Sequence, residues 1–535
     1  MATIEVPVLI VGGSLVGMTA SLLLAHHGVR AVTVEHHRGT AIHPRAAHIQ
    51  HRSMEILRTV GVEQVVRERS RQQFDQDGAI MAVETLAGKE LAWFITDINA
   101  GTQDLSPTAG LFITQSMLEP LMNERAQQLG AELHFSTDMV SFTQDATGVT
   151  AELRHRDTGE TATVRAQYMV AADGSHSRIR QSLGIPMAGH GRLSKSITIY
   201  FRGELAPLMR GRNLSVILVR NQTLRGFIRI EKPYRTGFLV VNTVGDPARP
   251  NEDVWAELGD EKSDKNNERC LEYLRAALGA DIPLEIDDVM RWQAVADTAA
   301  SFRQGRVFLV GDAAHHMPPY GGFGGNTGMA DAHNLAWKLA AVLNGWAGEP
   351  LLDTYDSERR PVGVMTTEQA YTRYVSREAT YLKSDKMQPP IDDHDLGLGH
   401  VYTVDGTAPV GVNEVHGNPR ESKGRPGTRA PHVWLRDTIS TLDLFDRHPA
   451  LLAARDGGAW IRAAGEASMA LGVPVDAHVI DAEGFADAYG LSPVGCVLVR
   501  PDGFVAWREQ GAASAAAVEQ ALRRMLCRTA EPQRS

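Results

Sequence analysis

A glycine-rich loop, GDAAHHMPPYGGFGGNTGM, comes just before a long stretch of helical sequence in the middle of the chain. Its glycines at 321, 322, 324 and 325 keep side chains away from a bound group. Asn326, Thr327 and Gly328 precede a helix that the pattern predicts to begin near Met329. Backbone N–H groups at a helix N-terminus stabilise negative charge. The loop predicts a site for a planar, partly anionic group; a loop that only caps the helix is the alternative.

A second glycine-rich turn, GGSLVG, lies between an apolar strand and a helix at the N-terminus. Glu35 ends the next predicted strand, eighteen residues after Gly17. This pattern is typical of dinucleotide sites, where glycines let the backbone approach a pyrophosphate and the acid binds ribose hydroxyls. The acid would repel a 2′-phosphate, so FAD or NAD is favoured over NADP. Ser14 replaces the middle glycine, and an ordinary βα turn is the alternative.

A third motif, DGSHSRIR, follows a predicted strand and contains Asp173, Gly174, Ser177 and Arg180. By itself it could be a surface ion pair. In their order and spacing, however, the three motifs together resemble those of the flavoprotein aromatic hydroxylases, single-component NADPH-dependent monooxygenases, over roughly the first 385 residues. That combination is far more specific than any one of its parts.

The resemblance implies an FAD site in which Asp312 binds the ribityl chain and the loop from Pro318 to Gly328 lies against the isoalloxazine ring. Arg45 and Gln115 match family positions near the flavin and the ribityl chain; the alternatives are a surface cation and a polar residue at a helix start. The residues expected at FAD are Gly12, Gly13, Ser14, Leu15, Val16, Gly17, Glu35, His36, Arg45, Gln115, Asp173, Gly174, Gly311, Asp312, Pro319, Gly324, Gly325, Asn326 and Thr327.

The resemblance also implies the reaction. NADPH would be the reductant and O2 the co-substrate, and a flavin C4a-hydroperoxide would hydroxylate an electron-rich ring. The closest resemblance is to anthracycline hydroxylases of antibiotic biosynthesis, so the expected partner is a hydrophobic polycyclic aromatic molecule, an anthracyclinone such as aklavinone. The alternatives are another phenolic polyketide of angucycline or tetracycline type, a flavin oxidase or reductase on the same fold, and a nucleotide-binding regulatory protein without turnover.

Arg373 is the candidate catalytic residue. Hydroxylation is faster on a phenolate than on a phenol, and an arginine can favour the phenolate by pairing with it. Val362, Thr366, Gln369 and Arg373 share one face of a predicted helix. An arginine at a solvated helix edge, paired with Glu368 or Glu378, is the alternative. His315 and His316 are adjacent on a loop and are not expected to bind a metal.

The elements that must position these residues predict an α/β (α+β) fold of three domains. A discontinuous Rossmann-like FAD domain is expected over 1–75, 105–185 and 290–385. Four alternating segments after Ser196 predict a mainly antiparallel substrate-binding sheet with one apolar face, over 76–104 and 186–289. The Pro-, Gly- and charge-rich segments after residue 382 read as linkers. The region 400–535 resembles the thioredoxin-like appendage of phenol and polyketide hydroxylases, without a CxxC motif.

Composition excludes several other classes. The chain has 535 residues, 43% of them apolar, and a net charge of −10 without a Lys/Arg block, which argues against a nucleic-acid partner. No apolar run is long enough for a membrane helix. The N-terminus lacks the basic start of a secretory signal, and three scattered cysteines fit reduced thiols, so a cytoplasmic protein, monomer or homodimer, is expected.

Overall fold

The computed structural model describes residues 3–43, 48–76, 78–259, 268–385, 387–403 and 415–528. The strands of the first part are β1 (Thr3–Val11), β2 (Ala31–Val34), β3 (His48–Ile49), β4 (Ala79–Val83), β5 (Glu90–Ile95), β6 (Leu111–Phe112), β7 (Glu132–His134), β8 (Thr137–Gln144), β9 (Val149–His155) and β10 (Thr161–Ala171). Its helices are α1 (Leu15–His26), α2 (His51–Thr59), α3 (Glu63–Gln73), α4 (Gln115–Gln128) and α5 (Arg178–Ser182).

The second part contains strands β11 (Met187–Arg202), β12 (Leu214–Arg220), β13 (Leu224–Glu231), β14 (Thr236–Val244) and β15 (Glu285–Ala299), with helices α6 (Ala206–Met209), α7 (Val254–Leu258) and α8 (Glu268–Leu278). The third part contains strands β16 (Arg303–Gln304), β17 (Val307–Leu309) and β18 (His315–His316), with helices α9 (Phe323–Leu343), α10 (Thr354–Arg377) and α11 (Asp393–Leu398). The last part contains strands β19 (Trp434–Arg436), β20 (Ile439–Ser440), β21 (Ala450–Ala453), β22 (Asp476–Val479), β23 (Cys496–Val499) and β24 (Val505–Glu509), with helices α12 (Ala459–Leu471), α13 (Phe485–Ala488) and α14 (Ala515–Met525).

A largely parallel sheet brings the three motifs to one edge. Its order is β16-β17-β10-β1-β2-β7, with the β8–β9 hairpin attached to β10. Val11, at the end of β1, lies level with Val34 of β2 and Ala171 of β10, and Ala171 lies level with Leu309 of β17. The strands are buried where they lie side by side, at 8–11, 31–34, 168–171 and 307–309. The segments that follow all four strands therefore meet at the carboxyl edge.

The antiparallel sheet, which the sequence analysis expected to bind the substrate, has the order β18-β15-β11-β14-β13-β12-β4-β5. All four strands predicted after Ser196 are present as β11 to β14, and β12 pairs in parallel with β4. β15 was not predicted; it spans both sides of residue 290, where the sequence analysis placed a domain boundary. The predicted domain limits stay predictions.

One face of this sheet is apolar, as the alternation predicted. On it, alternate residues of the strands pack against α7 and α8 around Tyr273 and Leu274. The residues between them form the second face, which borders a cavity and mixes aromatic with polar side chains, among them Thr198 and Arg229.

Helix α9 begins at Phe323, six residues before the predicted start at Met329. Gly322 at its N-cap has φ of 67°, which a glycine adopts at no steric cost. The glycines at 324, 325 and 328 lie inside the helix because tertiary packing outweighs their low helical propensity. The second predicted long helix is α10, shorter at both ends than expected.

The C-terminal region has the thioredoxin-like topology. Its sheet order is β22-β21-β23-β24, with β21 and β22 parallel and β23 antiparallel to both β21 and β24. Helix α12 connects the parallel pair, and α14 follows the hairpin. β21 was not predicted. The VWL segment, which was predicted to belong to this domain, overlaps β19 and pairs with β20.

The segment interpreted as a linker is partly built into the core. It forms α11. Leu396 is buried beside Val362 and Phe323, and Leu398 is buried at the cavity. The prolines and charged residues around them favoured a linker, so the burial of these two leucines was not predicted. Among the described residues, no helix combines the length and the apolar character needed to cross a membrane.

Candidate active site

A cavity of about 1190 Å³ opens beside the carboxyl edge of the parallel sheet. Its lining comes from the glycine-rich loop, the start of α1, α2, α11 and the second face of the antiparallel sheet. Of the residues expected at FAD, the described lining includes Leu15, Asp312, Pro319, Gly324, Gly325 and Asn326.

The first turn approaches β10 and β2 very closely. Gly12 has φ of 102°, and a Cβ there would lie 2.2 Å from the carbonyl oxygen of Ala172. The backbone N–H of Gly13 donates to Glu35 Oε2 at 2.6 Å, and His37 N donates to Oε1 at 2.8 Å. A carboxylate has about four acceptor positions, so Glu35 retains acceptors for hydroxyl groups.

Ser14 is part of a polar cluster rather than a substitute glycine. Its Oγ donates to Glu119 Oε1 at 2.8 Å and accepts from Gln115 Nε2 at 2.6 Å. Glu119 Oε2 accepts the N–H of Ala41 at 2.7 Å. The sequence analysis missed Glu119, although a glutamate one helical turn after Gln115 was a usable signal.

The DGSHSRIR motif connects two of the loops. Asp173 Oδ2 accepts the N–H of Ile179 at 3.1 Å, and Ser177 caps α5 by accepting from Arg180 N. Arg180 Nη1 donates to the carbonyl of Ala313 at 3.2 Å, next to Asp312. Asp173 Oδ1 is buried without a hydrogen-bond partner, and burial raises the pKa of this carboxyl.

A buried network that was not predicted from the sequence holds the glycine-rich loop that begins at Gly311. Asp331 accepts from the N–H of Gly311 at 3.2 Å, from His315 Nε2 at 2.8 Å and from Arg359 Nε at 2.8 Å. Arg359 Nη2 also donates to the carbonyl of Thr327 at 3.2 Å. His315, Asp331 and Arg359 are fully buried. A charged residue within the apolar sequence of α9 was the available signal.

The two adjacent histidines have acidic neighbours, contrary to expectation. His316 Nδ1 lies 2.6 Å from Asp297 Oδ1, and His315 contacts Asp331. Within the part of the chain that the structure describes, no group of three or more metal-binding side chains occurs.

Asn326 fixes the start of α9 against α2. Its Oδ1 accepts from Gln50 N at 2.9 Å and Ser53 Oγ at 2.7 Å, and its Nδ2 donates to the carbonyls of His48 and Gly322. Val16 packs against Gly311 and Gly328, where a Cβ would lie 2.9 and 2.5 Å from Val16 Cγ2. These contacts leave the N–H groups of the first turn of α9 at the cavity.

The residues present fit an FAD molecule. The carboxylate of Asp312 lines the cavity and makes no hydrogen bond with a described residue, and Asp173 has its buried free oxygen. The first turns of α1 and α9 supply N–H donors, which suit a pyrophosphate and an electron-rich ring edge. The site thus combines acceptors for hydroxyls with N–H donors for anions, and FAD needs both.

Two of the expected residues gain no support from the described contacts. His36 is half-exposed, and its Nδ1 lies 2.6 Å from Asp138 Oδ1. Arg45 lies outside the described residues. Both assignments stay predictions.

Arg373 does not line the cavity. It is buried on α10, where it donates to Gln369, to the carbonyl of Ile391 and to Asp393, over the ring of Phe323. Asp393 does line the cavity, as does Arg377 one turn further along α10. The described contacts therefore connect Arg373 to the cavity through α11, and its direct role at a phenolate stays a prediction.

The sheet face opposite the glycine loop is apolar and aromatic. Tyr200, Phe227, Phe238 and Trp292 line it, and Trp292 Nε1 donates to Thr198 Oγ1 at 3.0 Å. Arg229 lies among them and was not anticipated from the sequence. The face suits a flat aromatic molecule.

Glu378 is a second unexpected charge, fully buried at the end of α10. Burial raises the pKa of Glu378 to about 7, against the opposing effects of the Tyr320 hydroxyl and of the cations Arg220 and Arg225. Tyr320 lines the cavity and accepts from Asn242 Nδ2 at 2.9 Å.

Two family models match the chain. The one described as FAD binding domain matches residues 5–370, and the one described as aromatic-ring hydroxylase, C-terminal matches residues 423–529.

Individual relatives match over nearly the whole chain. A 4-methyl-5-nitrocatechol 5-monooxygenase of a Burkholderia species is 50% identical over 98% of both chains. A tetracenomycin A2 monooxygenase-dioxygenase of Streptomyces glaucescens is 38% identical over 99% of this chain and 98% of its own. The crystal structure of aklavinone-11 hydroxylase with FAD and aklavinone has a TM-score of 0.89 at 35% identity, over 99% of this chain and 100% of that chain.

Proposed function

The chain belongs to the FAD-binding aromatic-ring hydroxylases, and from this premise we propose that it uses NADPH and O2 to insert one oxygen atom into a phenolic ring. The observation that carries the proposal is the meeting of two surfaces at one cavity. One is the carboxyl edge with its three motifs, and the other is the aromatic face of the antiparallel sheet.

The proposed FAD contacts follow from the site. The turn Gly12–Gly17 and the start of α1 hold the pyrophosphate, and Glu35 accepts from ribose hydroxyls. Asp312 and Gln115 hold the ribityl chain. The N–H groups around Gly324 and Gly325 stabilise negative charge on the isoalloxazine ring. Asp173 offers its free oxygen as a further acceptor.

FAD, when bound, supplies the redox chemistry, taking electrons from NADPH and activating O2 for oxygen transfer. The protein's own residues bind, orient and keep the site dry. Phe227, Phe238 and Trp292 exclude water from one side of the substrate, and Pro318 and Pro319 do so near the loop. Water exclusion matters because activated oxygen is otherwise lost as hydrogen peroxide.

Two substrate classes have support. A polycyclic phenolic polyketide, an anthracyclinone such as aklavinone, is supported by the volume and the aromatic lining of the cavity. The structural similarity to aklavinone-11 hydroxylase also supports it. A single-ring nitrocatechol is supported by the 50% identity to 4-methyl-5-nitrocatechol 5-monooxygenase. Both classes carry an ionisable phenol, and this is the feature that we propose the site recognises.

The test uses purified protein with its FAD content measured from the flavin absorption bands. NADPH or NADH is supplied with ¹⁸O2 and, in separate reactions, aklavinone, a tetracenomycin precursor or 4-methyl-5-nitrocatechol. We expect one labelled oxygen atom in the product of one class, detected by mass spectrometry. Reductant consumption that yields only hydrogen peroxide with every substrate would instead indicate an oxidase on the same fold. A protein without flavin would contradict the enzyme assignment.

A further inference from the structure

Arg229 is a buried cation without a counter-ion in hydrogen-bonding contact. It lies on β13 directly opposite Phe238 of β14, and its side chain borders the cavity. The residue is only 4% exposed. Its Nε and Nη2 make no hydrogen bond with any described residue.

Two aromatic rings flank the guanidinium. Its central carbon lies 4.8 Å from the ring centre of Phe74 and 4.6 Å from that of Phe112. Contacts between a cation and the ring faces offset part of the cost of burial. They do not use the N–H donors, which lie at the edge of the guanidinium plane. The rings therefore hold the group in place and leave its hydrogen bonds for another partner.

The surrounding charges do not supply that partner. Glu231, two residues along the same strand, accepts no hydrogen bond from Arg229, and burial raises the pKa of Glu231. Burial lowers the pKa of Arg229 to about 9, still well above neutral. Leaving a buried cation without hydrogen bonds is costly, and nearly all buried polar groups in folded proteins are paired.

A neutral histidine lies next to the cation. His48 stacks on Phe112 with ring centres 5.0 Å apart, and it also lines the cavity. Burial, and secondarily the charge of Arg229, lowers the pKa of His48 to about 4. At neutral pH the imidazole is uncharged and can donate one hydrogen bond, while Arg229 carries the positive charge.

We propose that Arg229 binds the anionic oxygen of an aromatic substrate, a phenolate or catecholate, while Phe74 and Phe112 hold its guanidinium in position. The inference rests on the proposed function, because the substrate must occupy this cavity. It assigns the substrate's anion to the sheet face, instead of to Arg373 on α10. An oxygen bound here would give Arg229 the charged hydrogen bonds that it lacks.

The probe is 4-nitrocatechol, whose ionised form is distinguished from the neutral form by its visible absorption. Its binding to the FAD-loaded protein is compared with that of its dimethyl ether, which cannot ionise. For Arg229→Gln we expect the affinity for the anion to fall about 10- to 100-fold, the range of a charged hydrogen bond, with the ether unaffected. The apparent pKa of the bound phenol should also rise in this variant, because the stabilising cation is lost.

Arg220→Gln is the matched control. Arg220 is a sheet arginine on β12 with the same two unpartnered nitrogens, but it does not line the cavity. Its substitution should leave anion binding unchanged. Arg229→Lys keeps the charge and should keep the preference for anion over ether, and it decides the question if Arg229→Gln fails to fold.

Equal anion affinity in wild type and folded Arg229→Gln would overturn the inference, as would a wild type that does not bind the anion. The binding assay requires no turnover. If binding depends on Arg229 but no oxygen is inserted, the proposed function is contradicted and this inference stands. If oxygen is inserted but binding does not depend on Arg229, the proposed function stands and this inference is contradicted.

Discussion

At the scale of single residues, the cavity and its surroundings hold charged groups with unpartnered side-chain atoms. Arg229 lines the cavity, Asp173 and Glu378 are outside its described lining, and each has buried side-chain atoms without a hydrogen bond to a described residue. Asp312 lines the cavity with an exposed carboxylate. Buried polar groups in folded proteins are nearly always paired, and a polar cofactor and a phenolic substrate would supply such partners at the cavity.

Asp312→Ala should purify largely without FAD, because the variant loses the carboxylate that we propose binds the ribityl hydroxyls. The ratio of flavin absorbance to protein measures the loss. Asp353→Ala, a change at an exposed carboxylate paired with Arg303, is the control and should keep its flavin. Stoichiometric, tightly bound FAD in folded Asp312→Ala would refute the assignment.

Glu378 should make stability depend on pH. Its pKa is raised from 4.5 to about 7 by burial, so the folded state binds this proton more tightly than the unfolded state. The favourable contribution is complete below the unfolded pKa and is lost as pH rises through about 7. Relative to Glu378→Gln, the wild type should therefore lose about 3 kcal/mol of unfolding free energy between pH 4.5 and 8.

Denaturant unfolding at several pH values measures this difference. Glu483→Gln, at an exposed glutamate, is the control and should show no such trend. A gap between wild type and Glu378→Gln that stays constant with pH would show that Glu378 ionises normally in the folded protein.

At the scale of elements, α11 lines the cavity but is too short to be stable as a helix by itself. It has six residues and comes from a Pro-rich, charged segment, so packing rather than propensity must hold it. Arg373 and Gln369 of α10 provide that support. Arg373 donates to Ile391 and Asp393, and Gln369 Oε1 accepts from the N–H of Ile391 at 2.8 Å.

Arg373→Gln should loosen α11 and so admit water to the cavity. We expect a higher KM for the substrate and a larger share of NADPH consumed without hydroxylation, neither of which raising the pH restores. Asp393→Asn, which removes the charge partner, should act in the same direction. Recovery of hydroxylation in Arg373→Gln at higher pH would support the direct phenolate role instead.

At the scale of the whole molecule, buried ion pairs attach the thioredoxin-like region to the FAD-binding part. Arg429 pairs with Glu55 of α2. Arg500 donates to both oxygens of Glu358 on α10, at 2.7 and 2.9 Å. Burial alone would raise the pKa of Glu358, but Arg500 and Lys338 outweigh it and lower the value to about 2. We propose on these contacts that the region supports α9 and α10.

Arg500→Met should be strongly destabilising, because it leaves Glu358 and Asp502 buried without their main cation. Breaking a buried pair in this way costs about 3–5 kcal/mol, whereas an exposed pair contributes about 1 kcal/mol or less. Arg455→Met, at the exposed pair with Asp481, is the control. Unfolding free energies from denaturant titration give both values. Equal, small losses of unfolding free energy in the two variants would show that the Arg500 pair contributes little to holding the two parts of the molecule together.

The sequence by itself determined the parts of this protein whose signal is local. The turn at Gly12, the acid at Glu35, the DG and GD motifs and the strands β11 to β14 were all predicted, because each depends on backbone geometry or on a short residue pattern. The family and its fold followed from the order of these motifs. The predicted start of α9 was wrong by six residues, since its glycines, which are poor helix formers, are held by Val16 of α1 and by the contacts of Asn326 with His48, Gln50 and Ser53.

Only the tertiary structure decided which distant residues face each other. Asp331 and Arg359 support the loop from buried positions, Arg373 is directed to α11 instead of to the cavity, and the supposed linker forms part of the wall. Arg229 reads as an ordinary polar residue of an alternating strand. It becomes a candidate for binding an anion because β13 lies between two apolar layers, and because Phe74 and Phe112, more than 100 residues earlier in the chain, enclose it. Helical or strand periodicity fixes the face of a side chain, but the neighbour of that face is set by chain topology.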